Sequence, residues 1–225
     1  MSSTFNLINN TLEFLLKNPS TILPFLIYFL ILNLLLSFIS DIHSFFIFFL
    51  FISLIFLPFS FYSLISKLKK NEFKLSIPKN VYKNLLLSSI FRIFLSLLFF
   101  SSFSLFFIFL LLKSFYSLIF LIFSLFIFFI SIRLLLLEIS ISTKNLSFLQ
   151  SIKYSFRVTK GKEIKIVFAI LIYTLISIAF LVISFSLLNL LNISFISFIV
   201  DSFVNSFFTS SILIFSYFLE KNKKL

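Results

Sequence analysis

Six long apolar runs alternate with short polar segments along this chain, at about 21–39, 45–66, 85–112, 114–137, 166–188 and 193–219. A helix rises ~1.5 Å per residue, so about 20 apolar residues cross the hydrocarbon core of a bilayer. The pattern predicts an all-α polytopic membrane protein, six transmembrane helices in one membrane domain over residues 1–225. The third run continues from Val81 to Leu112, too long for one perpendicular span. Its uncharged part after Arg92, 93–112, is one bilayer thickness. The fourth behaves alike: 114–132 is uncharged and ends at Arg133, with Glu138 just beyond. Both arginines are therefore expected at a membrane boundary, where long cationic side chains snorkel to headgroups. Pro58 should kink the second span unless neighbours restore the lost backbone bond.

Two further segments are too polar to span. Over 4–17, at ~100° per residue, Phe5, Ile8, Leu12, Leu15 and Leu16 share one face, and Asn6, Asn9, Asn10, Glu13 and Lys17 the other. Over 146–158, Phe148, Leu149, Ile152 and Phe156 form the apolar face, with Lys153 and Arg157 at its edge, where phosphates would lie. Both read as amphipathic helices in the membrane interface. Asn18-Pro19 follows the first, with Asn18 as N-cap and Pro19 at N1 of the next helix. Thr159-Lys160-Gly161-Lys162 ends the second, with the chain's one glycine at C′. Setting Asn18-Pro19 against Lys160-Gly161 pairs Leu7 with Leu149 and Phe14 with Phe156, which raises an internal repeat.

Charge adds direction. Sixteen of nineteen lysines and arginines fall in four clusters: Lys17, 67–83, 144–165 and 221–224. With Arg92 and Arg133, only Lys113 lies on the other side. The positive-inside rule then places both termini in the cytoplasm and the chain in the cell membrane. With no Trp, an aromatic belt depends on Tyr; Tyr62, Tyr82, Tyr154 and Tyr217 fall near the basic boundary and Tyr116 near the other. The net charge of +12 sits beside spans, so anionic lipid, not nucleic acid, is the expected partner. A protein partner or homo-oligomer is left open. The chain has no Cys, which excludes disulfides and thiolate chemistry. No basic n-region precedes a short apolar stretch, so no cleavable signal peptide is expected.

The main polar pattern is in the sixth run. Asp201, Asn205 and Thr209 share a face, and Ser202, Ser206 and Ser210 repeat the spacing one residue on. A substrate-contacting surface with Asp201 as a cation or proton site is one reading. Packing by small residues, with Asp201 at the outer interface, is the favoured one. Asn33 of the first span is placed either to join this stripe or to make an ordinary interhelical hydrogen bond. Arg92, Arg133 and Glu138 read as snorkelling residues first and as a cluster for a lipid phosphate second; Lys153, Arg157, Lys160 and Lys162 are the other candidate phosphate contacts. Asp41 and His43 share an outer turn but lack further ligands for a metal. One His, no Cys, no Gly-rich loop and no carboxylate pair leave no catalytic, cofactor or metal site.

The opening that ends in LLKNPSTILP, and SIKYSFRVTKGK with Ser151, Ser155, Thr159 and Gly161, resemble a loose group of prokaryotic six-helix membrane proteins. The layout is similar to the membrane domain attached to some glycerophosphoryl diester phosphodiesterases and to archaeal relatives without the enzyme. That resemblance implies the six-helix topology and no activity. The expected function is thus that of a non-enzymatic integral membrane protein contacting anionic lipid on its cytoplasmic face. The alternative is the membrane subunit of a transporter or exporter complex.

Overall fold

The computed structural model describes the backbone of residues 2–38, 42–70, 72–74, 76–190 and 197–221, and the side chains of these apart from 2–3, 35–38, 42–48 and 187–190. The described residues are helical without strands: α1 (Ser2–Lys17), a 3-10 turn (Pro19–Ile22), α2 (Leu23–Phe38), α3 (Ile42–Lys70), α4 (Lys79–Leu111), α5 (Tyr116–Arg133), α6 (Leu137–Lys144), α7 (Phe148–Thr159), α8 (Glu163–Leu190) and α9 (Ser197–Lys221). Five stretches are long and apolar enough to cross a membrane: Phe49–Lys70, Lys79–Leu111, Tyr116–Lys144, Glu163–Ser186 and Ser197–Lys221. A sixth is counted if Thr4–Lys17 and Pro19–Leu34, bent by 99°, form one broken span. The architecture is compatible with a multi-pass membrane protein.

The bend between α1 and α2 is built by Asn18, in a different way from the capping expected. Its backbone N–H and its side-chain amide both donate to Phe14 O, at 2.9 and 3.1 Å. Its carbonyl accepts the N–H and hydroxyl of Thr21, at 3.0 and 2.7 Å. Asn18 thus closes α1 and holds the 3-10 turn; its side chain makes no N-cap bond to the following helix.

The core sits where α6 and α9 meet the ends of α2, α3 and α4. Leu136, Leu137, Ile139 and Ile141 are fully buried there with Phe25, Leu64, Leu85 and Ile214. A second cluster joins α1, α5, α8 and α9 through Leu7, Ile132, Ile166, Tyr173 and Phe215. The basic ends meet at this pole. Lys69 Nζ of α3 donates to Thr143 O of α6 at 3.3 Å, and Lys144 Nζ lies 3.0 Å from Glu220 Oε1 of α9. By contrast, α4 and α5 beyond Arg92 form a hairpin turned at Lys113 (φ 51°), pinned internally by a 2.9 Å bond between the Ser102 and Ser124 hydroxyls. Phe94, Phe100, Phe107, Leu125 and Phe126 are exposed on it.

The amphipathic helix α7 buries a side that apolar periodicity does not single out, while α1 buries part of its expected apolar face, Ile8 and Leu15. α1 turns Thr4, Leu7, Ile8, Thr11 and Leu15 inward and leaves Phe5 and Leu16 exposed. α7 buries Ser151, Ser155 and Thr159 and leaves Leu149 exposed, with Phe156 at 36%. α7 therefore has three sides, a small-residue side against the protein, an exposed apolar edge and a polar edge, whereas α1 buries Leu7, Ile8 and Leu15 together with its two threonines. The pairing of Leu7 with Leu149 joins a buried residue to an exposed one, so that repeat register does not equate structural positions.

Candidate functional site

The main concentration of buried polar chemistry is at the junction of α5 and α6. The fourth run does not continue as one helix to residue 137: α5 ends at Arg133 and three turn residues precede α6. Such a break frees carbonyls and amides that must find other partners. Ser155 of α7 supplies two. Its hydroxyl donates to Arg133 O at 2.6 Å and accepts the Leu136 N–H at 3.1 Å. Thr159 adds a second donor to Arg133 O at 3.3 Å. Arg92 of α4 donates through Nη2 to Leu134 O at 2.9 Å.

The same guanidinium grips Glu138. Arg92 Nη2 lies 2.5 Å from Glu138 Oε2, and Arg92 Nε donates to Oε1, a two-pronged pair. Ser88 Oγ, one turn earlier on α4, donates to Oε1 at 2.7 Å. Glu138 is fully buried. A carboxylate in such a site is tenable only when paired and hydrogen-bonded, and three donors meet that need. Snorkelling therefore fails for Arg92: its guanidinium turns inward because Glu138 and the Leu134 carbonyl, which also accepts the Leu137 N–H at 3.0 Å, are there to receive it. The expected trio divides as well. Arg133 pairs with Glu163 at the start of α8, donates through Nη1 to Phe156 O at 3.2 Å, and sits 5.1 Å from the Phe129 ring centroid.

Around this junction lies a basic surface. Lys153, Arg157 and Lys160 are exposed and Lys162 is half-buried. Burial, and then the neighbouring Lys165 charge, push the Lys162 ammonium below its ordinary range. Gly161, at φ 76°, lets the chain turn from α7 into α8, with the Lys162 N–H donating to Thr159 O at 2.9 Å. Asn84 of α4 accepts the Phe148 N–H at 3.1 Å and so caps the start of α7. On the far edge of α7, the Tyr154 hydroxyl donates to Glu220 Oε1 at 2.9 Å while Lys144 Nζ lies 3.7 Å from the Tyr154 ring centroid. Burial pushes the Tyr154 hydroxyl above its ordinary range.

The stripe on α9 divides by depth. Ser202, Ser206 and Ser210 are fully buried, while Asp201, Asn205 and Thr209 are half-buried. Ser202 and Ser206 return their hydroxyls to Phe198 O and Ser202 O, and Thr209 to Asn205 O. Asn33 of α2 reaches this helix: its amide nitrogen lies 2.8 Å from Ser202 Oγ and 3.1 Å from Asp201 Oδ2. Asp201 is the fifth residue of α9 as described; residues 191–196 lie outside the described residues, as do Asp41, the His43 side chain and the tail residues Lys223 and Lys224. Among the described residues no three His, Cys, Asp or Glu side chains converge as a metal site.

Ser88, Asn84 and Glu220 escaped sequence reasoning. Ser88 and Asn84 carry no periodic signal, and the partners of all three are far away in the chain. Ser155 and Thr159 stood out only as positions of the segment SIKYSFRVTKGK, without a structural role. Comparison of the chain with protein-family models, with curated proteins and with solved structures finds no match.

Proposed function

We propose that this chain is a non-enzymatic multi-pass protein of the cell membrane that holds anionic lipid headgroups against α7 and the α7–α8 turn. In this reading the basic pole and both termini face the cytoplasm, and α1 and α7 lie at the interface. The observation that carries it is the outer side of α7. Leu149 (69% exposed) and Phe156 stand beside the exposed Lys153 and Arg157, an apolar edge for acyl chains next to a cationic edge for phosphates. The Ser151, Ser155 and Thr159 side fixes how the helix is rolled. Each basic residue near an anionic surface contributes ~1 kcal/mol. A phosphate beside Lys162 would also offset the burial, and the lesser repulsion from Lys165, that push its ammonium below its ordinary range. Arg92 and Arg133 are left out of the contact set, because Glu138 and Glu163 already engage them.

The test is gentle extraction followed by native mass spectrometry of the bound lipids. Anionic phospholipid should be retained over zwitterionic. Joint replacement of Lys153, Arg157, Lys160 and Lys162 by Gln should abolish that preference; an unchanged lipid profile would overturn the proposal. One observation favours a second reading, a transporter subunit: the Asp201 carboxylate and the Asn33 amide meet between two apolar helices. Co-purification of an ATPase, with transport lost in Asp201→Asn, would establish it instead.

A further inference from the structure

A groove of about 680 Å³ lies between α2 and α3, within the ~300–1,000 Å³ range of small-molecule sites. Leu23, Pro24 and Ile27 form one wall, and Ile55, Phe59 and Ser63 the other. Leu23, Ile27 and Phe59 are exposed, so the groove is open along its side. Ser60 ties the walls together by donating to Pro24 O at 3.0 Å. From Ile55 to Ser63 the α3 wall rises ~12 Å at 1.5 Å per residue, close to the depth of one leaflet of a ~30 Å hydrocarbon core.

One end of this groove is polar and basic. On α3, Lys67 shares the face of the lining residues Phe56, Ser60 and Ser63, one turn beyond Ser63. Past α3 the chain folds back on this end. Ser66 Oγ, buried, lies 2.9 Å from both Ser63 O and Glu72 O and accepts the Lys74 N–H at 3.0 Å. That bonding sets Phe73, the one aromatic of the loop 71–78, against the groove. The Lys67 ammonium sits 5.2 Å from its ring centroid, within cation–π range. On the neighbouring rim Tyr82, one turn after Lys79 of α4, meets the lining Phe59 with ring centroids 5.8 Å apart. Phe49–Lys70 is apolar enough to cross a membrane, and in a bilayer its basic end is the one that meets headgroups.

We propose that this groove is a binding site for a single anionic glycerophospholipid, with one acyl chain along α2 and α3 and the phosphate beside Lys67. Charge selects the occupant. Residues 67–74 carry four lysines against Glu72; Lys69 is turned to Thr143 O of α6, and Lys67, Lys70 and Lys74 remain on this side of the count. A choline or ethanolamine headgroup would bring its own ammonium among them, whereas a glycerol headgroup brings none. A free phosphate would leave the apolar walls unfilled. The inference rests on the reading of the chain as a membrane protein, but the groove shares no residue with the α7 surface.

The test uses the protein in phosphatidylcholine vesicles doped with phosphatidylglycerol, or with phosphatidylcholine, carrying a diazirine on one acyl chain, and maps the labelled residues by mass spectrometry. The phosphatidylglycerol probe should label 23–27 and 55–63 above the exposed α4–α5 hairpin, which reports bulk lipid, and above the phosphatidylcholine probe. Lys67→Gln should lower that excess about fivefold, the effect of one basic residue at an anionic surface, and Lys67→Arg should keep it. Ser63→Phe, or Ile27→Trp at the open side if the former does not fold, should bring groove labelling down to the hairpin level. Joint replacement of Lys153, Arg157, Lys160 and Lys162 by Gln should leave the groove labelled, so the two lipid proposals fail separately. Equal labelling of groove and hairpin, equal labelling by the two probes, or an excess untouched by Lys67→Gln would overturn the site. So would protection of the groove from both probes by a second copy of the chain.

Discussion

The α5–α6 junction and the α4–α5 hairpin share a helix and obey opposite rules. At the junction the interior holds Glu138, Ser88, Ser155 and Thr159, while Leu149 and Phe156 of the adjoining α7 are left outside. Along the hairpin most large side chains are exposed; the polar tie across it is a pair of serines, beside a small apolar contact of Leu95 with Ile127. The rest of the molecule follows the same sorting. Among the described residues seventeen serines are buried, but of the phenylalanines Phe25, Phe61 and Phe215 alone. A water-soluble protein would place these residue types the other way round. Hydrocarbon solvates phenylalanine as well as a protein core does, so burying it yields little; close packing and hydrogen bonds decide what goes inside. The two regions differ in how many polar groups must be satisfied at once, and that difference sets the expected sizes of mutational effects.

The largest effect should come from Arg92→Ala. It leaves a fully buried Glu138 with Ser88 as its one remaining side-chain donor, and removing one partner of a buried ion pair costs ~3–5 kcal/mol. Unfolding in mild detergent, followed by helical signal against added denaturant, measures it. The double variant Arg92→Met, Glu138→Leu should recover most of the loss, since a buried pair replaced by apolar groups is often neutral. A single-variant loss near zero would mean the junction is as wet and forgiving as the surface, and the comparison would collapse.

Next in size is Ser155→Ala. One hydroxyl both donates to Arg133 O and accepts from Leu136 N–H. Its removal should cost ~1–3 kcal/mol, the penalty of leaving buried backbone groups unsatisfied. Thr159→Val should cost less, because Arg133 O keeps its shorter bond to Ser155. The same unfolding measurement ranks them; equal losses would show that the break is not held through Ser155.

These residues also mark where the sequence stops being readable. Run length and charge position report on the bilayer, a solvent with a fixed thickness and a charged boundary, so the apolar helices and the gathering of basic ends could be read one segment at a time. The Arg92–Glu138 pair could not, because it joins two helices through 46 residues of chain. Its two members read first as separate boundary charges and second, with Arg133, as a cluster for a lipid phosphate, never as an ion pair with each other. The buried side of α7 was misjudged for a related reason. Amphipathic periodicity sorts apolar from polar, whereas α7 sorts small from large: Ser151, Ser155 and Thr159 go inward although they are polar. The break before α6 has neither Pro nor Gly to announce it; the stretch reads RLLLLE. Asn33 was legible as a residue that bonds across helices, and its partners, Asp201 and Ser202, lie on the stripe already visible by spacing.

Asn33→Leu probes the region between the extremes. Interhelical polar contacts within membranes average ~0.6 kcal/mol in double-mutant cycles, far less than at the junction. A cycle with Ser202→Ala should return a coupling of about that size. A coupling above ~2 kcal/mol would exceed the range seen for such contacts and would make the α2–α9 contact a second buried polar centre.

The smallest effect is expected on the hairpin. Phe100→Leu, Phe107→Leu and Phe126→Leu alter side chains that are 65%, 48% and 57% exposed within the protein. If lipid is their surroundings, folding leaves those surfaces in hydrocarbon both before and after, and each change should stay within about ±0.5 kcal/mol. Their sum should stay near zero too, because the sites share no packed partner. Ser124→Ala, on the same hairpin but facing Ser102, is the internal control, and should cost ~1 kcal/mol by the loss of a buried hydrogen bond. An inverted order, with the phenylalanines costly and the serine silent, would mean that another protein surface covers the hairpin in the membrane. Sorting by size and hydrogen bonding would then be confined to the junction.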